Sequence, residues 1–363
     1  MSTDTTEVPQ WLRGVRSDQL DDFVQWIDET GGLEQPGFDA IQQAFVYIPD
    51  HQVDQNLDPY SSMYFDNMVK LYEEVSGRRL DQETGEMTRF NLPDHVTHAN
   101  PYGSSSVKTM SRHFHAVAAS IKHAELPDNA RVADLGCGWG LTSEVLNFCG
   151  CEVTAVDINP EFVSLVRQRA ERRQTSIETL CSNFDDLELT KDFDAVFFYE
   201  CFHHAVKPWE TLAGVTEFLK PEGKVFFSGE PINELWWKNW GLRLDACSIY
   251  CIRKHGWFES GWSEPFLHHM FDRLGWHLTL HKGVGLDGGA VGVAHRKLRK
   301  PDTAPHEVAD LEDSVIEAAQ SDALTSYSPN IGDVIRERDH ARRYPWKYMR
   351  AALMQRLKKR SGK

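Results

Sequence analysis

Short apolar runs alternate with segments of helical spacing over the middle of the chain. The apolar runs lie at 130–135, 152–156, 176–181, 193–199 and 224–228, and helices are predicted at 106–124, 141–149, from Pro160 onward and at 209–219. In the helix that begins at Pro160, the apolar residues Phe162, Val166 and Ala170 recur at every fourth position. Strands this apolar, with helices between them, predict a parallel sheet covered by helices on both faces.

Residues 232–263 do not follow this alternation. The stretch is longer than an ordinary connection and is rich in tryptophan, with Trp236, Trp237, Trp240, Trp257 and Trp262. We interpret it as an insertion in a domain that covers 106–298. A helix at 264–274 and strands at 276–282 and 290–295 are predicted to complete that domain.

The two flanks of this domain have their own patterns. Leu20, Phe23 and Ile27 follow helical spacing, and a second helix is predicted at 61–75, before clusters of proline, glycine and asparagine. We therefore predict an N-terminal helical cap over 1–105. Residues 299–363 are predicted to form a linker and a C-terminal helical extension.

Composition narrows the class of protein. The chain has 363 residues, of which 41% are hydrophobic and 26% charged, and it has no apolar run long enough for a transmembrane helix. The polar start lacks the apolar core of a signal peptide, so we expect a cytoplasmic protein. The seven cysteines do not have the spacing of a disulfide framework or of a zinc site, and no metal site is predicted.

Charge is distributed unevenly. The net charge of -15 argues against binding of nucleic acid, which needs a basic surface. Residues 336–363 are the exception, because they carry eleven Lys and Arg against Glu337 and Asp339. This charge surrounds an apolar stripe and predicts a helix that lies on an anionic membrane surface or binds a phosphate-bearing substrate. The alternatives are a helix that docks on the acidic N-terminal region and a solvated helix. No pattern in the chain predicts an oligomeric state.

A glycine-rich stretch follows the first predicted strand directly. Val132 to Gly140 reads Val-Ala-Asp-Leu-Gly-Cys-Gly-Trp-Gly, and a helical segment follows it. Glycines at alternate positions let a ligand approach the backbone at the start of a helix. The spacing is G-x-G-x-G, which differs from the G-x-G-x-x-G of dinucleotide enzymes.

This motif resembles the first motif of class I S-adenosylmethionine-dependent methyltransferases, an acidic residue followed by x-G-x-G-x-G. The resemblance covers roughly 107–297. It implies a Rossmann-like methyltransferase fold, α/β with a doubly wound, mostly parallel sheet of seven strands whose last two form an antiparallel hairpin. It also implies S-adenosylmethionine as the cofactor.

The predicted cofactor site combines the motif with the ends of the next two strands. Asp157 ends the second strand, where a carboxylate can accept hydrogen bonds from both ribose hydroxyls. By resemblance to the family, Asn183 meets the adenine amino group and Phe184 offers a backbone N–H, although the family usually has aspartate at the first position. The full set of predicted cofactor residues is Tyr102, Asp134, Gly136, Cys137, Gly138, Gly140, Asp157, Ile158, Asn183 and Phe184.

The site for the methyl acceptor is predicted at the end of the fourth strand. The residues there read Glu200-Cys201-Phe202-His203-His204. A histidine titrates near neutral pH and can take a proton from an attacking hydroxyl. We predict His204 as the base, with His203 and Glu200 as further candidates. The alternative for adjacent histidines is one buried ring that only packs beside one exposed ring.

The acceptor itself is predicted less directly. The Asn/Asp-Pro-Pro-aromatic motif of similar enzymes that methylate nitrogen is absent. The cap loosely resembles bacterial methyltransferases of polysaccharide synthesis, which favours a sugar hydroxyl on a glycan or glycan precursor. An aromatic or quinone-like small molecule is the alternative, and a flat slot formed by the tryptophans would favour it. A cofactor-binding scaffold recruited to the inner face of a membrane is the alternative that has no enzymatic activity.

Overall fold

The computed structural model describes residues 8–297 apart from 34, 36, 82–86, 88, 185, 186, 188, 190, 191 and 234–236. The helices of the described part are α1 (Leu20–Glu29), α2 (Phe38–Ala44), α3 (Ser62–Ser76), α4 (Leu92–Thr97), α5 (Val107–Ala124), α6 (Leu141–Phe148), α7 (Pro160–Arg173), α8 (Pro208–Val215), α9 (Ala246–His255) and α10 (Glu264–Arg273). The strands are β1 (Arg131–Leu135), β2 (Glu152–Asp157), β3 (Ile177–Cys181), β4 (Phe193–Tyr199), β5 (Leu219–Ser228), β6 (Trp240–Leu242), β7 (Ser260–Trp262), β8 (Trp276–Lys282) and β9 (Ala290–Arg296). The predicted extension at 299–363 and Trp236 lie outside the described residues.

The central sheet has seven strands in the order β3-β2-β1-β4-β5-β9-β8. Strands β1 to β5 pair in parallel, whereas β9 pairs antiparallel with both β5 and β8. The order reverses between β1 and β4, so the carboxyl ends of these two strands flank the crevice where such folds bind ligands. The predicted doubly wound, mostly parallel sheet with a terminal hairpin is confirmed.

One predicted boundary is wrong. The helix predicted to run to residue 219 ends at Val215, and Leu219 already pairs with Phe193 as the first residue of β5. Phe218 and Leu219 are both buried. A short apolar run fits a buried strand as well as a buried helix, so its pattern alone does not decide between them.

The insertion and the N-terminal cap pack against each other. Helices α1 and α3 of the cap contact α9 of the insertion, and α3 also contacts β6. The hydroxyl of Tyr64 on α3 donates to the carbonyl oxygen of Trp240 at 2.5 Å, and that of Tyr72 donates to the carbonyl oxygen of Gly256 at 2.6 Å. The cap is therefore fastened to the insertion by buried hydrogen bonds as well as by apolar packing.

This packing buries most of the tryptophans that the structure describes in the insertion. Trp240 and Trp262 form a directly opposed pair across the β6–β7 ribbon, and both are fully buried. Trp237 is buried too and donates from Nε1 to the carbonyl oxygen of Leu242 at 2.7 Å. Trp257 alone among the described insertion tryptophans is partly exposed. Most of these rings therefore belong to the core instead of a flat open slot.

No helix in the described ranges is long and apolar enough to span a bilayer.

Candidate active site

The glycine-rich stretch forms a tight loop between β1 and α6. Gly136, Gly138 and Gly140 all have positive φ values, of 66°, 47° and 84°. The N–H of Cys137 donates to the carbonyl oxygen of Val156 at 3.0 Å, which ties the loop to the end of β2. The Cys137 side chain is buried beside Ala155, so this residue presents its backbone to the crevice.

Two of the glycines are required by their surroundings as well as by their backbone angles. A Cβ on Gly140 would lie 2.6 Å from Cγ2 of Val166, and a Cβ on Gly136 would lie 2.7 Å from the Cys201 side chain. A Cβ on Gly138 would meet only a carbonyl oxygen at 4.0 Å. The middle of the loop is therefore open on the side where a ligand can approach the backbone.

Asp157 lies at the carboxyl end of β2, against this loop. Its Oδ2 accepts a hydrogen bond from the Gly138 N–H at 2.8 Å, and its Oδ1 accepts one from the Asn159 N–H at 2.8 Å. The side chain is nearly buried, with 8% of the residue exposed. Ile158 follows it, half-buried. The structure thus brings the predicted ribose carboxylate to the glycine loop, as the sequence predicts.

Asp134, the acidic residue of the motif, is buried at the end of β1. Its Oδ2 accepts hydrogen bonds from the hydroxyls of Thr142 and Ser143, whereas its Oδ1 has no partner among the described residues. Burial raises the pKa of Asp134 to about 6, although the hydrogen bonds from Ser143 and Thr142 oppose this shift. The free oxygen of a buried carboxyl suits a positively charged or hydrogen-bonding ligand group.

Asn183 and Phe184 follow β3, next to Asp157. The Ser182 N–H donates to the carbonyl oxygen of Asp157 at 3.0 Å, which fixes where this segment leaves the sheet. Phe184 packs edge-on against Phe198, with 5.7 Å between the ring centroids, and its ring would lie 3.4 Å from a Cβ on Gly136. Phe184 and the loop that carries Asn183 therefore border the glycine motif.

Tyr102 lies on the other side of the same crevice. Its ring stacks on His113 of α5 at 5.1 Å and lies 6.1 Å from the ring of Trp139 in the glycine loop. Burial, with the nearby charges of Glu200 and Asp134, raises the pKa of Tyr102 well above its ordinary value. The sequence analysis missed His113 and Trp139, and only the position of Trp139 inside the motif could have indicated it.

A buried arginine holds the segment before Tyr102 against the domain. Arg169 of α7 pairs with Glu144 of α6, with 2.6 Å between Nε and Oε1. Its Nη1 donates to the carbonyl oxygens of His95 at 2.5 Å and His98 at 2.9 Å. Arg169 is 1% exposed, so this clamp lies in the interior. It fixes the approach of the chain to the cofactor crevice.

Glu200 comes directly after β4, at the turning point of the sheet. Its φ of 52° lies in the left-handed region, which residues other than glycine seldom adopt. Its Oε2 is 3.3 Å from Nδ1 of His113, and the same nitrogen is 2.8 Å from the hydroxyl of Tyr199. The Glu200 side chain is 37% exposed and that of His113 is 11% exposed. Glu200 and His113 thus form a carboxylate–imidazole pair with a partly exposed carboxylate, beside Tyr102.

His203 lies between two carboxylates. Its Nδ1 is 2.8 Å from Oε2 of Glu230, and its Nε2 is 3.5 Å from Oε2 of Glu259. Burial opposes a charge on the ring, but the two carboxylates outweigh this effect and raise the pKa of His203 to about 10. Burial also opposes the charge of Glu259, yet His203, His204 and Arg243 lower the pKa of that carboxyl to about 2.

Glu230 organises the turn that carries both histidines. Its carboxylate accepts from the backbone N–H groups of Cys201 at 3.2 Å, Phe202 at 3.1 Å and His203 at 3.0 Å. His204 ends this single 3₁₀ turn and is half-buried. Its ring lies 4.4 Å from that of His203 and edge-on to Trp257 at 6.0 Å.

The comparisons with known proteins agree with this geometry. Residues 133–227 match the family model described as a methyltransferase domain. The chain is 38% identical over 101 residues to a ubiquinone biosynthesis O-methyltransferase of Xanthomonas oryzae pv. oryzae, which is 27% of this chain and 42% of that protein. A protein of the same name from Xanthomonas axonopodis pv. citri is 36% identical over 104 residues, 28% of this chain and 44% of that protein. The chain therefore spans less than half the length of these curated relatives.

Among solved structures, the chain is similar to 1,6-didemethyltoxoflavin-N1-methyltransferase of Burkholderia thailandensis. The identity is 20%, the match covers 57% of this chain and 87% of that one, and the TM-score is 0.41. The sheet order, the glycine loop and the family match together define a class I S-adenosylmethionine-dependent methyltransferase domain. S-adenosylmethionine is the cofactor of this domain.

The residues present suit that cofactor. The open face of Gly138 accepts a close ligand, and Asp157 offers a carboxylate beside it. The Oδ1 of Asp134, which has no partner within the described ranges, suits the ammonium group of the cofactor's amino acid. Tyr102 and Phe184 border the crevice with aromatic rings.

Proposed function

We propose that the protein transfers a methyl group from S-adenosylmethionine to a hydroxyl of an aromatic or quinone-like small molecule. The observation that carries the proposal is the Glu200–His113 pair: Glu200 directly follows β4, the strand next to β1, and its side chain is 37% exposed. The names of the relatives, which describe O-methylation in ubiquinone biosynthesis, support this acceptor class. None of the comparisons supports the glycan acceptor that the cap suggested.

The residues of the chain have two tasks in such a transfer. S-adenosylmethionine supplies a methyl group that its sulfonium already activates. The protein holds the attacking hydroxyl in line and removes its proton, as general base catalysis requires. We infer that the Glu200–His113 pair accepts this proton, because the carboxylate offsets the charge that the imidazole gains.

His204 is less suited to this task than the sequence suggests. Its ring lies 4.4 Å from that of His203, and the ligand atoms of both rings group with Glu259. The Glu200–His113 pair, in contrast, lies beside Tyr102 of the predicted cofactor site, because the His113 ring stacks on that of Tyr102. We therefore propose His204 as a ligand-binding residue and His113 as the acceptor of the proton.

The two assignments can be separated by turnover measurements. We expect His113→Gln to lower kcat by roughly 10²-fold while binding of S-adenosylhomocysteine stays unchanged. Calorimetry provides the binding readout. A larger loss of kcat in His204→Ala than in His113→Gln would return the role of base to His204.

The acceptor class is tested with a panel of purified hydroxyl compounds. The full chain is incubated with S-adenosylmethionine and with catechols, hydroquinones or sugars, and mass spectrometry detects a gain of one methyl group. We expect methylated aromatic products and no methylated sugars. Methylation of sugars alone would overturn the acceptor class, whereas cofactor binding without any product across the panel would favour the scaffold.

We also propose that the basic segment 336–363, which lies outside the described residues, brings the protein to an anionic membrane surface. Its eleven Lys and Arg support this proposal. Full-length protein should float with vesicles that contain anionic lipid, and protein lacking 336–363 should not, while turnover of a water-soluble acceptor is kept. Full-length protein that stays with the soluble fraction at low salt would refute the proposal.

A further inference from the structure

We propose that His203, His204 and Glu259 form a binding site for one divalent transition-metal ion, with Zn²⁺ as the best match. Each side chain offers one ligand atom, and these atoms lie within 4.8 Å of one another. The site extends beyond the proposed methyl transfer, since neither the cofactor loop nor the Glu200–His113 pair contributes to it. The proposal also departs from the sequence analysis, in which no ligand spacing indicated a metal.

The orientation of His203 is the first argument for the site. Its Nδ1 is hydrogen-bonded to Glu230 at 2.8 Å, so its Nε2 points toward Glu259 at 3.5 Å. Histidines that bind metals commonly donate the opposite ring N–H to a carboxylate, which fixes the ring and raises its basicity. Glu230 has this position, and three backbone N–H groups hold it there.

The balance of charge is the second argument. Arg243 pairs with Asp245 at 3.0 Å and also lies 3.4 Å from Glu259. If Asp245 balances Arg243, two buried carboxylates, Glu230 and Glu259, remain on the two ring nitrogens of His203. A divalent cation on Nε2 would balance both of them, whereas a proton would balance only one.

The ligand geometry is the third argument. Zinc binds histidine nitrogen and carboxylate oxygen at about 2.0–2.2 Å, so tetrahedral ligand atoms lie roughly 3.4 Å apart. The separation of 3.5 Å between His203 Nε2 and Glu259 Oε2 meets this requirement. His204 is partly exposed, whereas His203 and Glu259 are buried. Two imidazoles and one carboxylate leave a further position for water or an acceptor oxygen.

The fold holds these ligands in place. The Ser260 hydroxyl donates to the carbonyl oxygen of His203 at 2.6 Å and thus joins the histidine turn to the residue after Glu259. Because Glu259 lies next to β7 in the insertion and the histidines follow β4, the site forms only when the insertion packs on the sheet. The group is therefore rigid on both sides, as a metal site requires.

The test is a calorimetric titration of metal-stripped full-length protein with Zn²⁺, followed by absorption spectroscopy with Co²⁺. We expect one Zn²⁺ per chain, with affinity at least tenfold weaker in Glu259→Gln and in His204→Ala. Glu230→Gln should weaken binding by about 10- to 100-fold, since it acts only through the orientation of His203. Binding of S-adenosylhomocysteine by each variant serves as the control for folding.

Two other pairs of neighbouring histidines among the described residues could bind zinc and need a background control. The rings of His123 and His281 lie 4.1 Å apart, and those of His277 and His295 lie 5.1 Å apart. The titrations are therefore made in protein that carries His281→Ala and His277→Ala. Retention of one zinc per chain in this background supports the proposal.

Two results would overturn the proposal. One is the absence of zinc binding in that background, which would leave His203 as an imidazolium bridge between two carboxylates. The other is zinc binding that remains undiminished in both Glu259→Gln and His204→Ala. Because His204 is half-exposed, its alanine variant keeps the test decisive if Glu259→Gln fails to fold.

Discussion

Asp134 and Asp157 lie at the ends of neighbouring strands, on either side of one glycine loop, yet their surroundings differ. Asp157 accepts hydrogen bonds from two backbone N–H groups. Asp134 is buried with one oxygen that lacks a partner among the described residues, and its pKa is raised to about 6. Two residues of the same type therefore respond differently to substitution.

For Asp157→Ala we expect binding of S-adenosylhomocysteine to weaken by about tenfold or more. The variant loses the hydrogen bond from the Gly138 N–H and, on the prediction that Asp157 binds the ribose, the charge-assisted hydrogen bonds to its hydroxyls. Calorimetry measures the change. Asp128→Ala, which removes an exposed carboxylate just before the amino end of β1, is the matched control. Equal affinities in the two variants would remove Asp157 from the cofactor site.

For Asp134→Asn we expect an effect on stability that depends on pH. The pKa of Asp134 is raised in the folded state to about 6 from 3.8, so protonation stabilises the fold below about pH 4. This stabilisation is lost as the pH rises through about 6. Relative to Asp134→Asn, the wild-type protein should therefore lose roughly 2–3 kcal/mol of unfolding free energy between pH 4 and pH 7.

Urea unfolding without cofactor, at several pH values, measures this difference. The asparagine can still accept the hydrogen bonds that Thr142 and Ser143 donate to Asp134. The difference between the variants therefore reports mainly on the charge. The expectation is wrong if the unfolding free energies of the wild type and of Asp134→Asn change in parallel across this pH range.

At the scale of elements, helices α6 and α7 do more than cover the sheet. Glu144 of α6 and Arg169 of α7 meet beneath the segment that leads to Tyr102. Arg169 also binds the carbonyl oxygens of His95 and His98, and Arg173 of the same helix binds that of Ala99, so that this segment is held by two guanidinium groups. The planar fork of arginine suits several acceptors at once, as an ammonium would not.

Arg169→Met should lower the free energy of unfolding by about 3 kcal/mol, because it leaves Glu144 and two carbonyl oxygens without this partner. The cost stays at the low end of the range for broken buried pairs, since Arg173 still pairs with Glu144. Affinity for S-adenosylhomocysteine should fall as well, because Tyr102 loses its support. Chemical denaturation and calorimetry measure the two effects.

Arg172→Met is the matched control, because Arg172 is exposed on the same helix. We expect its stability to stay within about 0.5 kcal/mol of the wild type. If Arg169→Met changes the free energy of unfolding as little as Arg172→Met does, the contacts of Arg169 do not stabilise the fold.

At the scale of the whole described region, the cap, the insertion and the sheet share one hydrophobic core. Apolar residues of α1 and α3 belong to the same buried cluster as residues of β4, α9 and α10. A region that shares one core is expected to unfold in one cooperative transition. The cap is thus a part of the fold and does not behave as a detachable lid.

Tyr64→Phe and Tyr72→Phe test this connection. Each variant leaves a buried carbonyl oxygen of the insertion without its donor and should cost about 1–3 kcal/mol in a single unfolding transition. Tyr60→Phe is the control, because the Tyr60 hydroxyl meets His269 at an exposed position. A separate early transition that shifts in Tyr64→Phe and Tyr72→Phe, while the main transition stays unchanged, would show that the cap folds independently.

Local patterns in the sequence predicted the central part of this protein well. The strands and the glycine turn follow from apolar periodicity and from spacing within a few residues, and Asp157 follows from its place at the end of a strand. His113, Arg169 and Glu259 were not predicted, because each acts through residues far away in the chain. Arg169, for example, binds a carbonyl oxygen 74 positions earlier.

The sequence by itself therefore determined the class of fold and the methyl donor. Both depend on backbone geometry that a short motif encodes, namely the glycines at positive φ and the carboxylate that ends the next strand. The tertiary structure alone decided the surroundings of the acceptor site. Packing set the charge around His203, buried most of the described insertion tryptophans and paired Glu200 with His113, because these contacts join segments that meet only in the folded chain.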